Sequence, residues 1–481
     1  MKVASIDQGT TSTKGLLVGD AGEEETVGAV RHRQILPRSG WVEHDATELL
    51  ENVRALINEG AASGAKGVAL ANQGETVVAW DRDSGAPLAN AIVWQDQRTE
   101  AEVAALAEAG KGETVRALSG VPLDPYFSAS KLRWMLDHVE GAAELARRGR
   151  LGLGTSDSFF IERLTGRYVT DVTTASRTSL MNLDRYAWDP ALCDVFGVPM
   201  ELLPEIVAGD EPVGMVTTPS GPLPLLASVV DQVAALYGHG CRSPGEGKVT
   251  VGTGAFALML TGFERPVGLG DGIVPTAAWP TAKGRAYAAD GGVYTAAAAV
   301  EWLMRIGLLA SLDEIGALSG PSAASRDLFF VPALAGLACP HWDRSAAGLF
   351  IGMDTATSRE DLVKAVLEGV AFRIAEVVET LGFARDAAIS VDGGLTRSAY
   401  FMRFLSGISG RPLIGRGEAE VTALGAAHLA QAIAGGRDLS EPAAGSILPL
   451  AAIRPEFEGR AAAALRGRFA EALSRSKGWR R

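Results

Sequence analysis

Three observations predict an α/β fold built from two related domains. Strand-like and helix-like segments alternate along the 481 residues. A strand, a Gly/Thr-rich turn and a returning strand occur at the start and again near the middle. The length also exceeds what one compact core organises. The boundary is placed near residue 240, giving domains 1–240 and 241–481. No low-complexity or charge-rich linker separates the halves, so they are expected to pack around a cleft.

The opening reads as strand 2–6, turn 7–13 and strand 15–18, with apolar runs flanking a Gly/Thr/Ser stretch. A helix follows at 45–57, where Leu49, Leu50, Val53, Leu56 and Ile57 share one face and Asp45 and Glu48 are spaced as a capping box. Residues 66–70 form a buried strand, and 76–80 and 91–94 the arms of a hairpin around Asp83-Ser84-Gly85. Helices are expected near 100–107, 130–138 and 158–164. Apolar strand 225–230 runs directly into Asp231, with helix 232–237 behind it.

The second half then repeats the first: strand 248–251, turn Gly252-Thr253-Gly254, strand 256–260. Helix 361–381, strand 388–391 and the turn Asp392-Gly393-Gly394 lead to helix 398–406, strand 412–414 and helix 421–434. The basic tail (Arg475, Lys477, Arg480, Arg481) is expected as a solvated, frayed end.

Bulk properties narrow the function. Hydrophobic residues make up 47% and charged residues 21%, a globular balance. The net charge of −12 argues against a nucleic-acid or acidic-membrane binder. Three well-separated cysteines suit buried thiols in a reducing compartment, and the first residues do not read as a signal sequence. No apolar run reaches spanning length, so a cytoplasmic protein is expected.

Three sites carry candidate chemistry. In Asp7-Gln8-Gly9-Thr10-Thr11-Ser12-Thr13-Lys14, successive backbone N–H groups make an anion-binding concavity, hydroxyls add donors, and Lys14 adds charge. Asp7 at its mouth can hold Mg²⁺ through water. A polar hairpin turn is the bland alternative, and the second copy at Gly252–Gly254 favours the phosphate site. Asp231, carried on a rigid strand end, can accept the proton of an attacking hydroxyl. From position alone, a helix N-cap aspartate reads equally well. Gln73-Gly74-Glu75, Trp94, Tyr126 and Phe256 could wall a polyol with aromatic faces and hydroxyl-binding groups. Neither G-x-x-x-x-G-K-[ST] nor G-x-G-x-x-G occurs, and the six histidines have no ligand spacing.

The segments Asp7–Lys14, 41–45, 72–76, 90–95, 125–128, 170–178, Asp231-Gln232, 252–256 and 391–394 together resemble the FGGY carbohydrate kinases, and among them the glycerol kinase branch. The resemblance covers nearly the whole chain. It implies the two-domain actin-like ATPase (ribonuclease H-like) fold and phosphorylation of a small polyol by ATP and Mg²⁺, with glycerol the leading acceptor. It implies Asp231 as catalytic base, beside Gln232 on the substrate and near Mg²⁺ with Asp7 through water. Thr10, Thr11, Ser12 and Lys14 correspond to the first phosphate turn and Gly252-Thr253 to the second. Gly394 and Leu395 face adenosine, and Ser398 stands where an Asn is usual. Glu75, Trp94, Tyr126 and Phe256 correspond to the glycerol pocket.

The chain departs from the pattern at Gly74, where an Arg usually precedes the pocket Glu. That glycine is expected to leave a gap for water, a longer acceptor or a neighbouring side chain such as Gln95, Gln97 or Arg98; the alternative is that glycerol is bound through a different donor. Segment 217–222 does not match the family's allosteric loop, so no regulation is implied. A dimer or tetramer remains open. The rival readings are a kinase for a four- or five-carbon polyol or ketose, and a nucleotide-binding sensor without chemistry.

Overall fold

The computed structural model describes residues 1–270, 272–383, 387–416, 420–441, 451–457 and 459–480. Two six-stranded mixed sheets dominate it. The first holds β1 (Val3–Gln8), β2 (Ser12–Val18), β3 (Glu24–Arg31), β4 (Gly67–Asn72), β5 (Gly214–Thr218) and β6 (Gly221–Val230), in the order β5-β6-β4-β1-β2-β3. The second holds β7 (Gly247–Val251), β8 (Ala255–Gly262), β9 (Val274–Thr281), β10 (Gly284–Val293), β11 (Ile389–Asp392) and β12 (Leu413–Gly415), in the order β9-β10-β8-β7-β11-β12.

The order β3-β2-β1-β4-β6 in the first sheet recurs as β10-β8-β7-β11-β12 in the second. In each, three antiparallel strands adjoin two parallel ones. This is the duplicated arrangement that the actin-like expectation requires. Strands β1 and β7 occupy equivalent central places, and each opens into a Gly/Thr turn.

The helices that bear on the site are α1 (Ala46–Ala62), α2 (Asp231–Gly238), α3 (Ala297–Arg305), α4 (Arg359–Leu381), α5 (Ala399–Ser409), α6 (Val421–Ala434) and α7 (Gly459–Ser476), beside others such as Ser128–His138 and Ser156–Thr165. Leu49, Leu50, Val53, Leu56 and Ile57 of α1 are buried as their spacing predicts. The capping there is one-sided: Asp45 accepts from the N–H groups of Thr47 and Glu48. A reciprocal capping box stands instead at Ser358 and Asp361, starting α4. Helices α2 and α6 cross closely at the domain boundary. A Cβ on Gly425 would overlap the Ala234 carbonyl, and one on Gly238 the Val421 carbonyl, so only glycine permits this crossing. Ser5 Oγ of β1 donates to the Ala423 carbonyl of α6 at 2.6 Å, tying the second domain's helix to the first sheet.

Three expectations change. Strands β3, β9 and β10 were not foreseen: β3 begins with exposed glutamates, and β10 is rich in Gly and Ala, residues depleted from strands. The tail is not frayed. Lys477 Nζ donates to His341 Nδ1 at 2.9 Å, and the Arg480 guanidinium donates to the Leu334 carbonyl at 2.8 Å; Arg481 lies outside the described residues. Asp231 is not an N-cap but the first residue of α2, preceded by Val230. The three cysteines are free and buried. Among the described residues no helix is long and apolar enough to cross a membrane.

Candidate functional site

The turns after β1 and β7 open into one cleft between the sheets, enclosing about 240 Å³. Asp7, Thr10, Thr11, Gln73, Glu75, Trp94, Tyr126, Asp231 and Gln232 line it from the first domain, and Gly252, Thr253 and Phe256 from the second. The fold therefore brings together residues that the sequence scatters over nearly 250 positions.

The first turn is closed by Gly9 N–H donating to the Ser12 carbonyl at 3.1 Å. Thr10 is held from outside, its Oγ1 accepting from Trp94 Nε1 at 3.0 Å. Ser12 and Lys14 are not among the cleft's lining residues. Lys14 Nζ instead donates to both carboxylate oxygens of Glu420, at 2.9 and 2.8 Å, across the domain boundary. In the second turn the Thr253 carbonyl accepts from the N–H groups of Ala296 and Ala298, so this turn is anchored to the start of α3.

Three aromatic rings make one wall. Trp94 meets Tyr126 edge-on at 5.6 Å and Phe256 at 6.0 Å, joining the two domains' faces. Lys131 Nζ fixes the Tyr126 loop, donating to the carbonyls of Pro125 and Tyr126 at 2.9 and 2.6 Å.

Glu75 also lines the cleft and is only 4% exposed. Burial raises its carboxyl above the ordinary range, and the Arg177 guanidinium pulls it back. Arg177 was not foreseen as a pocket residue. Its Nε donates to Glu75 Oε1 at 2.7 Å, and its Nη2 lies 2.8 Å from Asp290 Oδ2 in the second domain. Thr250, Thr276 and Asp290 are further lining residues that sequence reasoning missed. The available signal was the segment containing Arg177, which lacked an assigned role.

Gly74 lines the cleft, and side chains stand close beside it: a Cβ there would lie 2.7 Å from Val230 Cγ2 and 3.5 Å from Arg177 Cγ. Neither Gln95, Gln97 nor Arg98 lines the cleft. Arg98 is committed to Glu43 and Asp96, at 2.7 and 2.8 Å.

Asp231 Oδ1 accepts from the Gln232 backbone N–H at 2.6 Å. Burial and then the Glu75 charge raise the Asp231 carboxyl to about 7, against the pull of Lys248. Asp7 is likewise raised to about 7, by burial and by Asp231. Two carboxyls that repel each other in an enclosed site suit a divalent cation between them, held through its water shell. Among the described residues no group of three His, Cys, Asp or Glu forms a protein-only metal cage.

A second cavity of about 440 Å³ is lined by Gly394, Leu395 and Ser398 together with Ala297, Glu301 and Met304. Gly393 precedes it at φ +98°, and a Cβ there would overlap the Val251 carbonyl oxygen, a place only glycine fills. Ser398 caps α5, its Oγ accepting from Phe401 N–H at 3.2 Å.

The sequence matches the N-terminal domain of the FGGY family of carbohydrate kinases over residues 2–238 and its C-terminal domain over 247–434. It is 42% identical to a glycerol kinase of Methylorubrum populi over 447 residues, covering 89% of this chain and 88% of that one. Against a glycerol kinase of Methylorubrum extorquens it is 40% identical, covering 99% and 98%. The crystal structure of Plasmodium falciparum glycerol kinase with ADP superposes with a TM-score of 0.88 at 30% identity, over 99% of this chain and 98% of that one. A xylulose kinase from Lactobacillus acidophilus shares the fold, with a TM-score of 0.84 at 22% identity over 98% and 97%. With paired Gly/Thr turns facing one cleft and both family domains matched in order, the chain belongs to the FGGY family of carbohydrate kinases.

Proposed function

We propose that this protein transfers the γ-phosphoryl group of ATP to a terminal hydroxyl of glycerol. Residues 1–240 carry the acceptor pocket and the first phosphate turn; residues 241–481 carry the second turn and the adenosine cavity. The observation that supports this most is the meeting of Asp231, both Gly/Thr turns and the Glu75–Trp94–Tyr126–Phe256 wall in one cleft.

The aromatic faces of Trp94, Tyr126 and Phe256 cover the acceptor's C–H surfaces, and Glu75 and Gln232 orient its hydroxyls. Asp231 takes the proton of the attacking hydroxyl as its oxygen bonds to the γ-phosphorus and the bond from that phosphorus to the bridging oxygen breaks, releasing ADP. Burial and Glu75 hold the Asp231 carboxyl above its ordinary range, and a bound cation would draw it back toward the carboxylate form that accepts the proton. Thr10, Thr11, Gly252 and Thr253 direct backbone N–H groups and hydroxyls at the phosphates. Asp7 and Asp231 fit Mg²⁺ through water, and the bound ion supplies neutralising charge for the transferred group. Gly394, Leu395 and Ser398 hold adenosine.

The Val230 and Arg177 side chains close beside Gly74 support the three-carbon acceptor over four- and five-carbon ones. A coupled ADP-release assay across glycerol, erythritol, threitol, erythrulose, xylulose and ribulose tests this. Glycerol is expected to give the highest kcat/KM. A higher value for a longer acceptor overturns the glycerol assignment, and no ADP release with any of them overturns the kinase reading.

A further inference from the structure

Asp290 lies on β10, is 6% exposed, and gives its two carboxylate oxygens different surroundings. Oδ2 stands 2.8 Å from Arg177 Nη2. Oδ1 is buried and has no hydrogen-bond partner among the described residues. A buried carboxylate oxygen left unpaired is costly, so a donor is expected to meet it.

The space beside it is small. Tyr126, Arg177, Phe256, Asp290, Gly292 and Trp342 line a cavity of about 20 Å³, room for one water-sized group. The first four also line the cleft, so the cavity adjoins the acceptor pocket. Gly292 keeps it open. Strand alternation puts Gly292 on the same face of β10 as Asp290, and a Cβ there would lie 3.2 Å from Phe256 Cε1.

Strand register sets Asp290 away from the phosphates. β8 starts directly after the Gly252-Thr253-Gly254 turn, with Ala255 opposite Val293, Phe256 opposite Gly292 and Leu258 opposite Asp290. At about 3.4 Å per residue, Asp290 stands roughly 10 Å along the strand from the turn. An acceptor whose reacting hydroxyl faces the turn and Asp231 therefore extends its far end toward Asp290. Gly74, beside Arg177, supplies no polar side chain there.

We propose that Asp290 is a specificity-determining residue: its Oδ1 accepts a hydrogen bond from the acceptor hydroxyl farthest from the transferred phosphoryl group, and that hydroxyl oxygen occupies the small cavity. The inference deepens the glycerol reading and rests on it. An ionised carboxylate only accepts, so the subsite takes a hydroxyl and disfavours a methyl, a carbonyl or a carboxylate at that end.

The test compares kcat/KM for glycerol and for propane-1,2-diol, which has a methyl in place of the far hydroxymethyl group, in wild type, Asp290→Asn and Gly292→Ala. Wild type is expected to favour glycerol by about 10- to 100-fold, the worth of a hydrogen bond to a charged group. In Asp290→Asn the amide carbonyl is drawn to Arg177, which only donates, and an NH₂ replaces Oδ1. That change should shrink the ratio by about tenfold through the glycerol value, and leave the KM for ATP within about twofold. Gly292→Ala keeps the Arg177–Asp290 pair and fills the cavity. It should shrink the ratio as well, and it guards against a folding failure of Asp290→Asn.

Equal use of both acceptors by wild type overturns the proposal. So does an unchanged ratio in Asp290→Asn, which would leave Asp290 only holding Arg177, or an unchanged ratio in Gly292→Ala. In each of these cases glycerol turnover by wild type keeps the glycerol reading standing. Absence of ADP release with glycerol in wild type overturns that reading and this inference with it.

Discussion

Arg177 Nη2 stands 2.8 Å from Asp290 Oδ2, joining the two domains where both residues line the cleft. The same guanidinium holds Glu75 through Nε at 2.7 Å. One side chain therefore links a pocket carboxylate to the closure of the cleft, and all three groups are buried.

Replacing Arg177 by Met strands two buried carboxylates. Removing one partner of a buried pair costs about 3–5 kcal/mol, and urea unfolding should show a loss of that order. Asp290→Asn keeps a polar partner for Arg177 and should cost less, while raising the KM for acceptor more than that for ATP. An Arg177→Met variant as stable as wild type contradicts this role.

Gly74→Ala should destabilise the protein, because its Cβ meets Val230 Cγ2 at 2.7 Å. Overpacking of this kind costs about 1–3 kcal/mol, and Val230→Ala in the same chain should recover most of it. Gly74→Arg should lower kcat/KM for three-, four- and five-carbon acceptors alike. Suppression of the longer acceptors alone would show that Gly74 does hold open space for them.

Truncation after Ser476 should lower the melting temperature. It removes the Lys477–His341 bond and the Arg480 bonds to the Leu334 carbonyl and, through its backbone N–H, to the Ser345 carbonyl. Loss of several such bonds costs about 1–3 kcal/mol. An unchanged melting temperature would restore the view of a frayed end.

What the sequence made legible follows from how local each signal is. The two Gly/Thr turns and the strand running into Asp231 are written in consecutive residues, and their duplication announces the paired sheets. Arg177 was opaque because its partner Glu75 lies 102 residues away and Asp290 belongs to the other domain. Only folding brings them together. Gly74 left several occupants open for a related reason: which side chains stand beside it, Val230 and Arg177, is decided only by folding. Strand β10 was hidden because its Gly- and Ala-rich residues gain strand character only from pairing on both sides, with β8 and β9.

The most direct measurement is the turnover of Asp231→Asn in a coupled ADP-release assay at saturating ATP and glycerol, with ATP binding measured in parallel. The amide matches the carboxylate in size but cannot take the hydroxyl proton. A general-base role predicts a fall in kcat of about 10²–10⁴-fold, with ATP affinity largely unchanged. Retention of more than about a tenth of wild-type turnover would contradict a base contribution of that size and remove Asp231 from the chemical step.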